Sequence, residues 1–393
     1  MTTSVNCVNI ALMKIERTLT NTIITKLKTS DKGIIIFGAR QVGKTTLVND
    51  IIAHLKLKTL TVNADQSRYL GVLSSRDLSK ITDIVAGYEL LFIDEAQRIS
   101  EIGINLKIIL DNIKKLKVIV TGSSSLDLAS KISEPLTGRV WTYKLYPISF
   151  LELRRNLNHF ELDAGLEERL VYGSYPEIFS ATGHIQKKEY LTILSDAYLY
   201  KDLLELGGLK NSTKIRDLLK LLAFQTGSLV SLSELGSNLG MSKDTVNRYI
   251  DFLEKSYVIF RLSGFSRNLR KEITKMDKIY FYDLGVRNIM IDNLKPLKDR
   301  NDIGQLWENF LIAERLKILS YTHRSRPMYF WRVYTGAEID YVEETGGELY
   351  GYEFKWGNKT VKTPLGWLNA YPDAKFECIN KNNYLDFILQ NQS

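Results

Sequence analysis

The run Gly38-Ala39-Arg40-Gln41-Val42-Gly43-Lys44-Thr45-Thr46 limits what this 393-residue chain can fold into more sharply than any other stretch. It follows Gly33-Ile34-Ile35-Ile36-Phe37 and leads into Leu47-Val48-Asn49-Asp50-Ile51-Ile52, which reads as strand, tight glycine loop and helix. A helix amino terminus exposes unpaired N–H groups, and successive loop amides can wrap a polyanion, so the expected ligand is a nucleotide phosphate. In this reading Gly38, Ala39, Arg40, Gln41, Val42, Gly43, Lys44, Thr45 and Thr46 form the cradle. Lys44 neutralises the outer phosphates, and Thr45 offers its hydroxyl to Mg2+.

A second signal lies further along, where the apolar Glu89-Leu90-Leu91-Phe92-Ile93 ends in Asp94-Glu95. Ligands of open α/β sheets bind at the carboxyl ends of strands, so both acids are placed for chemistry. Asp94 is the candidate magnesium ligand and Glu95 the candidate base for an attacking water, although two acids after a strand can also cap a helix. Leu60 to Asp65 reads as another strand. Lys117-Val118-Ile119-Val120 reads as a further one, delivering the hydroxyls of Thr121 and Ser123 to the same edge, as phosphate or water contacts or as turn residues.

Composition adds exclusions. The chain is 44% hydrophobic and 25% charged, which is globular rather than disordered. Two cysteines, Cys7 and Cys378, leave no disulfide framework and no four-cysteine zinc site. A net charge of +8 permits nucleic acid or an acidic surface as partner without specifying either. Lacking an 18-residue apolar run or a secretory pattern, the chain is expected to be soluble and cytoplasmic.

The stretches GARQVGKTT, LLFIDEAQRI, GINLKIILDN, VIVTGSSSLDLASKISEPLTGRV and YPISFLEL resemble the AAA-type P-loop ATPases of archaea and bacteria that carry a carboxyl-terminal domain of unknown function, number 4143. That resemblance implies ATP and Mg2+ as cofactors, an ASCE-type sheet in which the strand bearing Asp94 does not neighbour the phosphate-loop strand, and Glu95 as catalytic glutamate. Such ATPases often complete the site with an arginine from the same or a neighbouring subunit. Arg139 is the candidate for that role, against the alternative of an arginine paired with a surface acid.

Beyond Phe150 the pattern turns helical, broken by Gly173-Ser174-Tyr175-Pro176, with Gly207-Gly208 as a boundary. Helices are expected at 214–224, 231–239 and 242–255, followed by strands at 257–262 and 278–282, the order of a winged helix-turn-helix. Its third helix is locally neutral, and Arg267, Arg270, Lys271 and Lys275 between the strands are better phosphate contacts. DNA, a protein partner and a homo-oligomer all remain candidate partners.

The last hundred residues offer an amphipathic helix from Gly304 to Glu314 and strands at 329–333, 338–342 and 350–356. This order resembles the core of PD-(D/E)XK nucleases, with Glu308 on the helix, Asp340 on one strand and Glu353-Phe354-Lys355 on the next. In such a site Asp340, Glu353 and Glu308 would hold the metal, and Lys355 would assist a water. Ile339 stands where the motif has proline, and strand salt bridges give the same pattern.

The expected fold class is therefore α/β. It comprises a P-loop ASCE/AAA-type ATPase core at 1–150, a helical lid and linker at 151–210, a winged-helix middle domain at 211–295, and an α/β carboxyl-terminal domain of restriction-endonuclease type at 296–393. ATP hydrolysis driving a conformational switch is the leading reading of function. An ATP-gated nuclease and a non-enzymatic nucleotide sensor are the alternatives.

Overall fold

The computed structural model describes residues 14–122, 136–197, 212–267, 276–324, 326–333 and 336–389. Among these residues the strands form two sheets. The first contains β1 (Gly33–Gly38), β2 (Thr59–Asn63), β3 (Leu90–Asp94), β4 (Lys117–Gly122) and β5 (Val140–Leu145), all parallel, in the order β2-β3-β4-β1-β5. Every residue of β1 and β3 is buried, which is why both read as unbroken apolar runs rather than alternating ones. Strand β4 separates β3 from β1, the order that the resemblance implies. Helices α1 (Leu19–Thr29), α2 (Lys44–Leu55) and α3 (Ile102–Asn112) contribute buried apolar faces to this core.

The connecting region is built from short helices, among them α4 (Leu166–Tyr172), α5 (Pro176–Ser180) and α6 (Gly183–Ala197). Gly173 has φ +75°, and a Cβ there would lie 2.1 Å from Asp283 Oδ1, so this turn admits only glycine. Asp283 also accepts from Ser174 N at 2.7 Å, which ties the turn to the downstream half of the chain. The Gly207-Gly208 boundary lies outside the described residues.

Downstream come α7 (Ser212–Phe224), β6 (Leu229–Val230), α8 (Leu232–Leu239), α9 (Lys243–Lys255), β7 (Ile259–Gly264) and β8 (Asp277–Phe281). Ser231 and Ser242 cap α8 and α9 through Glu234 N and Thr245 N. Then follow α10 (Leu284–Met290), α11 (Ile303–Tyr321), β9 (Met328–Arg332), β10 (Glu338–Thr345), β11 (Glu348–Phe354), α12 (Leu365–Ala370), β12 (Lys375–Ile379) and α13 (Tyr384–Leu389).

The second sheet crosses the expected division at 295/296. Its order is β12-β11-β10-β9-β7-β8-β6, with Ser263 and Gly264 of β7 pairing in parallel with Tyr329 and Phe330 of β9. One face joins the main core through α11 and α13, where Tyr341, Tyr352 and Phe354 meet Phe387. The other face packs Trp331, Ile339 and Leu349 with Trp367 of α12. No helix among the described residues is long and apolar enough to cross a membrane.

Candidate phosphate-binding site

Strand β1 ends at Gly38, where a Cβ would sit 2.3 Å from Leu145 O, so the loop can leave the sheet only through glycine. Gln41 (φ 55°) and Gly43 (φ +96°) both take left-handed backbone, which folds the loop back before α2 begins at Lys44. The Lys44 ammonium is 4% exposed and donates to Gly38 O at 3.0 Å and Ala39 O at 2.9 Å. It also stands 3.8 Å from Glu95 Oε1.

The acids after β3 arrive at the same edge. Asp94 Oδ2 accepts from Thr45 Oγ1 at 2.8 Å, while Asp94 Oδ1 accepts from the Thr121 hydroxyl. Thr121 is fully buried and also accepts from Glu95 N at 3.2 Å. Its hydroxyl thus ties the Asp94 carboxylate to the Glu95 backbone at the edge where one of Thr121 or Ser123 is the candidate phosphate or water contact. Glu95 lies in left-handed backbone (φ 54°), and its Oε2 accepts from Gln97 Nε2 at 2.5 Å. Ser123 lies outside the described residues.

Beside the loop runs a cleft of about 200 Å3, with Ile15, Leu47, Ile148, Pro176 and Phe179 on its walls and Lys14 and Asp50 at its rim. Sequence reading missed this cleft because it joins four segments distant in the chain. The break at Gly173-Ser174-Tyr175-Pro176 marks a turn in the sequence but not the cleft that Pro176 reaches.

Arg139 is not brought to this site in its own chain. Its carbonyl accepts from Gly33 N at 3.0 Å, at the amino end of β1, roughly one strand length or about 17 Å from the loop. Its guanidinium donates to Asp111 at 2.8 and 3.1 Å, the surface-acid pairing that was its alternative.

The carboxyl-terminal candidates do converge, around a cation that sequence reading left out. Lys278 Nζ of β8, 2% exposed, lies 2.6 Å from Glu338 Oε1 and 3.2 Å from Glu308 Oε1. Tyr280 donates to Glu308 at 2.6 Å, Phe354 N donates to Asp340 Oδ2 at 2.8 Å, and Lys355 Nζ reaches Glu353 Oε1 at 2.6 Å. Burial, then the charges of Glu308 and Glu353, push the Asp340 carboxyl well above the usual range. Burial opposes the charge on Lys278, yet Glu308, Asp340 and Glu338 hold it above the ordinary lysine range. Among the described residues no group of three or more His, Cys, Asp or Glu side chains could hold a metal ion.

A family model described as an AAA domain matches residues 30–154, which contain this loop and both acids. The chain carries an AAA-type P-loop ATPase domain. A model for a domain of unknown function, DUF4143, matches residues 303–384, so the chain also carries that domain. Another such model, DUF8612, matches residues 163–297 between them. An uncharacterized protein of Mycobacterium tuberculosis is 28% identical over 330 residues, covering 82% of this chain and 70% of its own length. One of Methanocaldococcus jannaschii is 25% identical over 299 residues, covering 71% and 65%. A solved Walker-type ATPase of Pyrococcus abyssi aligns with a TM-score of 0.48 at 15% identity, covering 70% of this chain and 96% of its own.

Proposed function

We propose that the ATPase domain binds and hydrolyses ATP with magnesium, and that hydrolysis drives a conformational switch in the rest of the chain. The observation that carries this reading is the 2.8 Å contact of Thr45 with Asp94, beside Lys44 and Glu95, at the carboxyl edge of a parallel sheet. The donor set suits the ion, because hydroxyl and carboxylate oxygens are the ligands magnesium prefers. The loop suits the nucleotide, because Gly38 leaves no room for a Cβ and Gly43 holds a positive φ. When bound, magnesium would neutralise charge developing on the transferred phosphoryl group.

The chain's own residues divide the remaining work. Lys44, now on the carbonyls of Gly38 and Ala39, would turn its ammonium to the phosphate oxygens, and Thr45 and Asp94 would hold the ion. Glu95 orients the attacking water and takes its proton, while Thr121 keeps both acids in place. Ile148, Pro176 and Phe179 receive the adenine ring. The test is ATP binding and turnover in Lys44→Ala and Glu95→Gln. Lost binding in the first and retained binding without turnover in the second support the reading. Wild-type turnover in Glu95→Gln rules Glu95 out as the base.

The order α7, β6, α8, α9, β7, β8 fits a winged helix. Helix α9 is locally neutral, with Lys243, Arg248 and Lys255 against Asp244, Asp251 and Glu254, which favours a protein partner or a second copy of the chain over DNA; of the cations between the strands, Arg270, Lys271 and Lys275 lie outside the described residues. DNA binding that weakens steeply with salt would reverse that preference. An ATP-gated nuclease is the second reading; Glu308 and Glu353 both act on Asp340, but as they stand they are paired with Lys278 and Lys355, and no metal cluster forms among the described residues, so this reading needs a rearranged site. It requires magnesium- or manganese-dependent cleavage that disappears in Lys355→Ala.

A further inference from the structure

Arg17 precedes the phosphate loop in sequence, and its side chain is buried beside it. The guanidinium is engaged on every side. Nη1 donates to Val42 O at 2.8 Å, Nη2 to Tyr146 O at 2.5 Å, and Nε to Glu152 Oε1 at 2.9 Å. A rigid planar fork suits this three-way arrangement, and a lysine ammonium does not.

Glu152 is fixed in turn. Its Oε1 also accepts from Thr18 N at 3.0 Å, and its Oε2 accepts from Ser149 N at 2.9 Å. Burial opposes both charges, but Glu152 holds Arg17 above its ordinary range, and Arg17 with the Ser149 and Thr18 amides holds Glu152 below its own. The segment they grip is also anchored by α11, whose Tyr321 hydroxyl interacts with the Arg17 guanidinium as well. Phe150 N donates to Glu314 Oε2 at 2.8 Å, and Tyr146 N donates to the Tyr321 hydroxyl at 3.1 Å.

We propose that Arg17 is a positioning residue that orients the phosphate loop through Val42 and, by way of segment 146–152, couples the loop's occupancy to α11 of the carboxyl-terminal domain. In a trans peptide the C=O and the following N–H point in opposite directions. Holding Val42 O toward Arg17 therefore turns the Gly43 N–H to the opposite side. A nucleotide that shifts this peptide moves Arg17, and with it the Tyr146 carbonyl and Glu152. Both lie within a few residues of the amides held by Glu314 and Tyr321. The inference rests on nucleotide binding at the loop.

The test uses the full chain with magnesium and adenylyl imidodiphosphate, read by titration and by hydrogen exchange of backbone 303–321. In the wild type the analogue is expected to slow exchange across that helix. Arg17→Lys should weaken analogue binding about tenfold and raise KM for ATP more than it lowers kcat. Tyr321→Phe combined with Glu314→Gln should keep affinity within about threefold yet abolish the slowing at 303–321. Tyr321→Phe alone should reduce it in part, which keeps the test open if the double variant does not fold. Binding without a response at 303–321, or a full response in the Tyr321→Phe variants, overturns the coupling. Wild-type affinity and KM in Arg17→Lys overturn the positioning role. A folded wild type that binds no analogue removes the reading of the loop itself and the coupling with it.

Discussion

Thr121 has one hydroxyl proton and two acceptor positions, and the site uses both kinds. The proton goes to Asp94, and an acceptor lobe takes Glu95 N at 3.2 Å. Thr121→Val keeps the shape and removes both contacts, so kcat for ATP is expected to fall about tenfold or more with little change in thermal stability, measured by steady-state turnover and a melting curve. Glu95→Gln is more severe, because the amide cannot accept a proton. Turnover should fall by a factor on the order of 10²–10³ while nucleotide affinity persists, checked by single-turnover kinetics beside equilibrium binding. Lys44, Thr45, Asp94 and Glu95 could be read from sequence because the chemistry packs them into two short stretches. Arg17 could not, since its partners Val42, Tyr146 and Glu152 lie 25, 129 and 135 residues away, and an isolated arginine carries no pattern.

Among the elements, β11 best illustrates how packing decides a residue. Its alternation places Gly351 opposite Tyr350 and Tyr352, and a Cβ at 351 would lie 3.2 Å from the Trp367 ring. Gly351→Ala should therefore cost about 1–2 kcal/mol, measured by urea unfolding, unless the indole can withdraw. Glu343 of β10 joins the sheet to α11, accepting from Arg315 at 2.6 and 2.9 Å and from the Tyr341 hydroxyl at 2.7 Å. Burial works against its charge, but Arg315 and Tyr341 hold its pKa below the usual glutamate range. A carboxylate depressed on folding contributes stability above its unfolded pKa and loses it as pH falls through the folded one. Glu343→Gln should thus cost about 3 kcal/mol near neutral pH, with the gap to wild type closing from roughly pH 4 downward. Unfolding midpoints of both proteins across that range would check it. Strands β1, β3 and β4 are legible as long apolar runs, whereas β5 and β12 at the sheet margins alternate exposed Thr142 and Lys144, or Lys375 and Glu377, with apolar neighbours over a stretch too short to stand out as a strand. Helix α1 was legible in principle, with Leu19, Ile23, Ile24 and Leu27 on one face.

At the scale of the whole molecule, the division at 295/296 separates residues that one sheet unites. Sequence periodicity marks strands but not their lateral partners, so the parallel pairing of β7 with β9 left no local trace. Co-expressed fragments 1–295 and 296–393 are each expected to aggregate or to remain associated, because separation would bare the β7 and β9 edges and leave Lys278 buried without Glu308 and Glu338. Size-exclusion chromatography of the two fragments would decide this, and two well-behaved monomers would refute it.

That seven-stranded sheet is also a lever. Strands about 4.8 Å apart give it a breadth of roughly 29 Å, so turning it by about 10° at one margin would sweep the opposite margin through about 5 Å. A turn too small to see at one margin would thus become, at the far rim, a movement the size of a side chain.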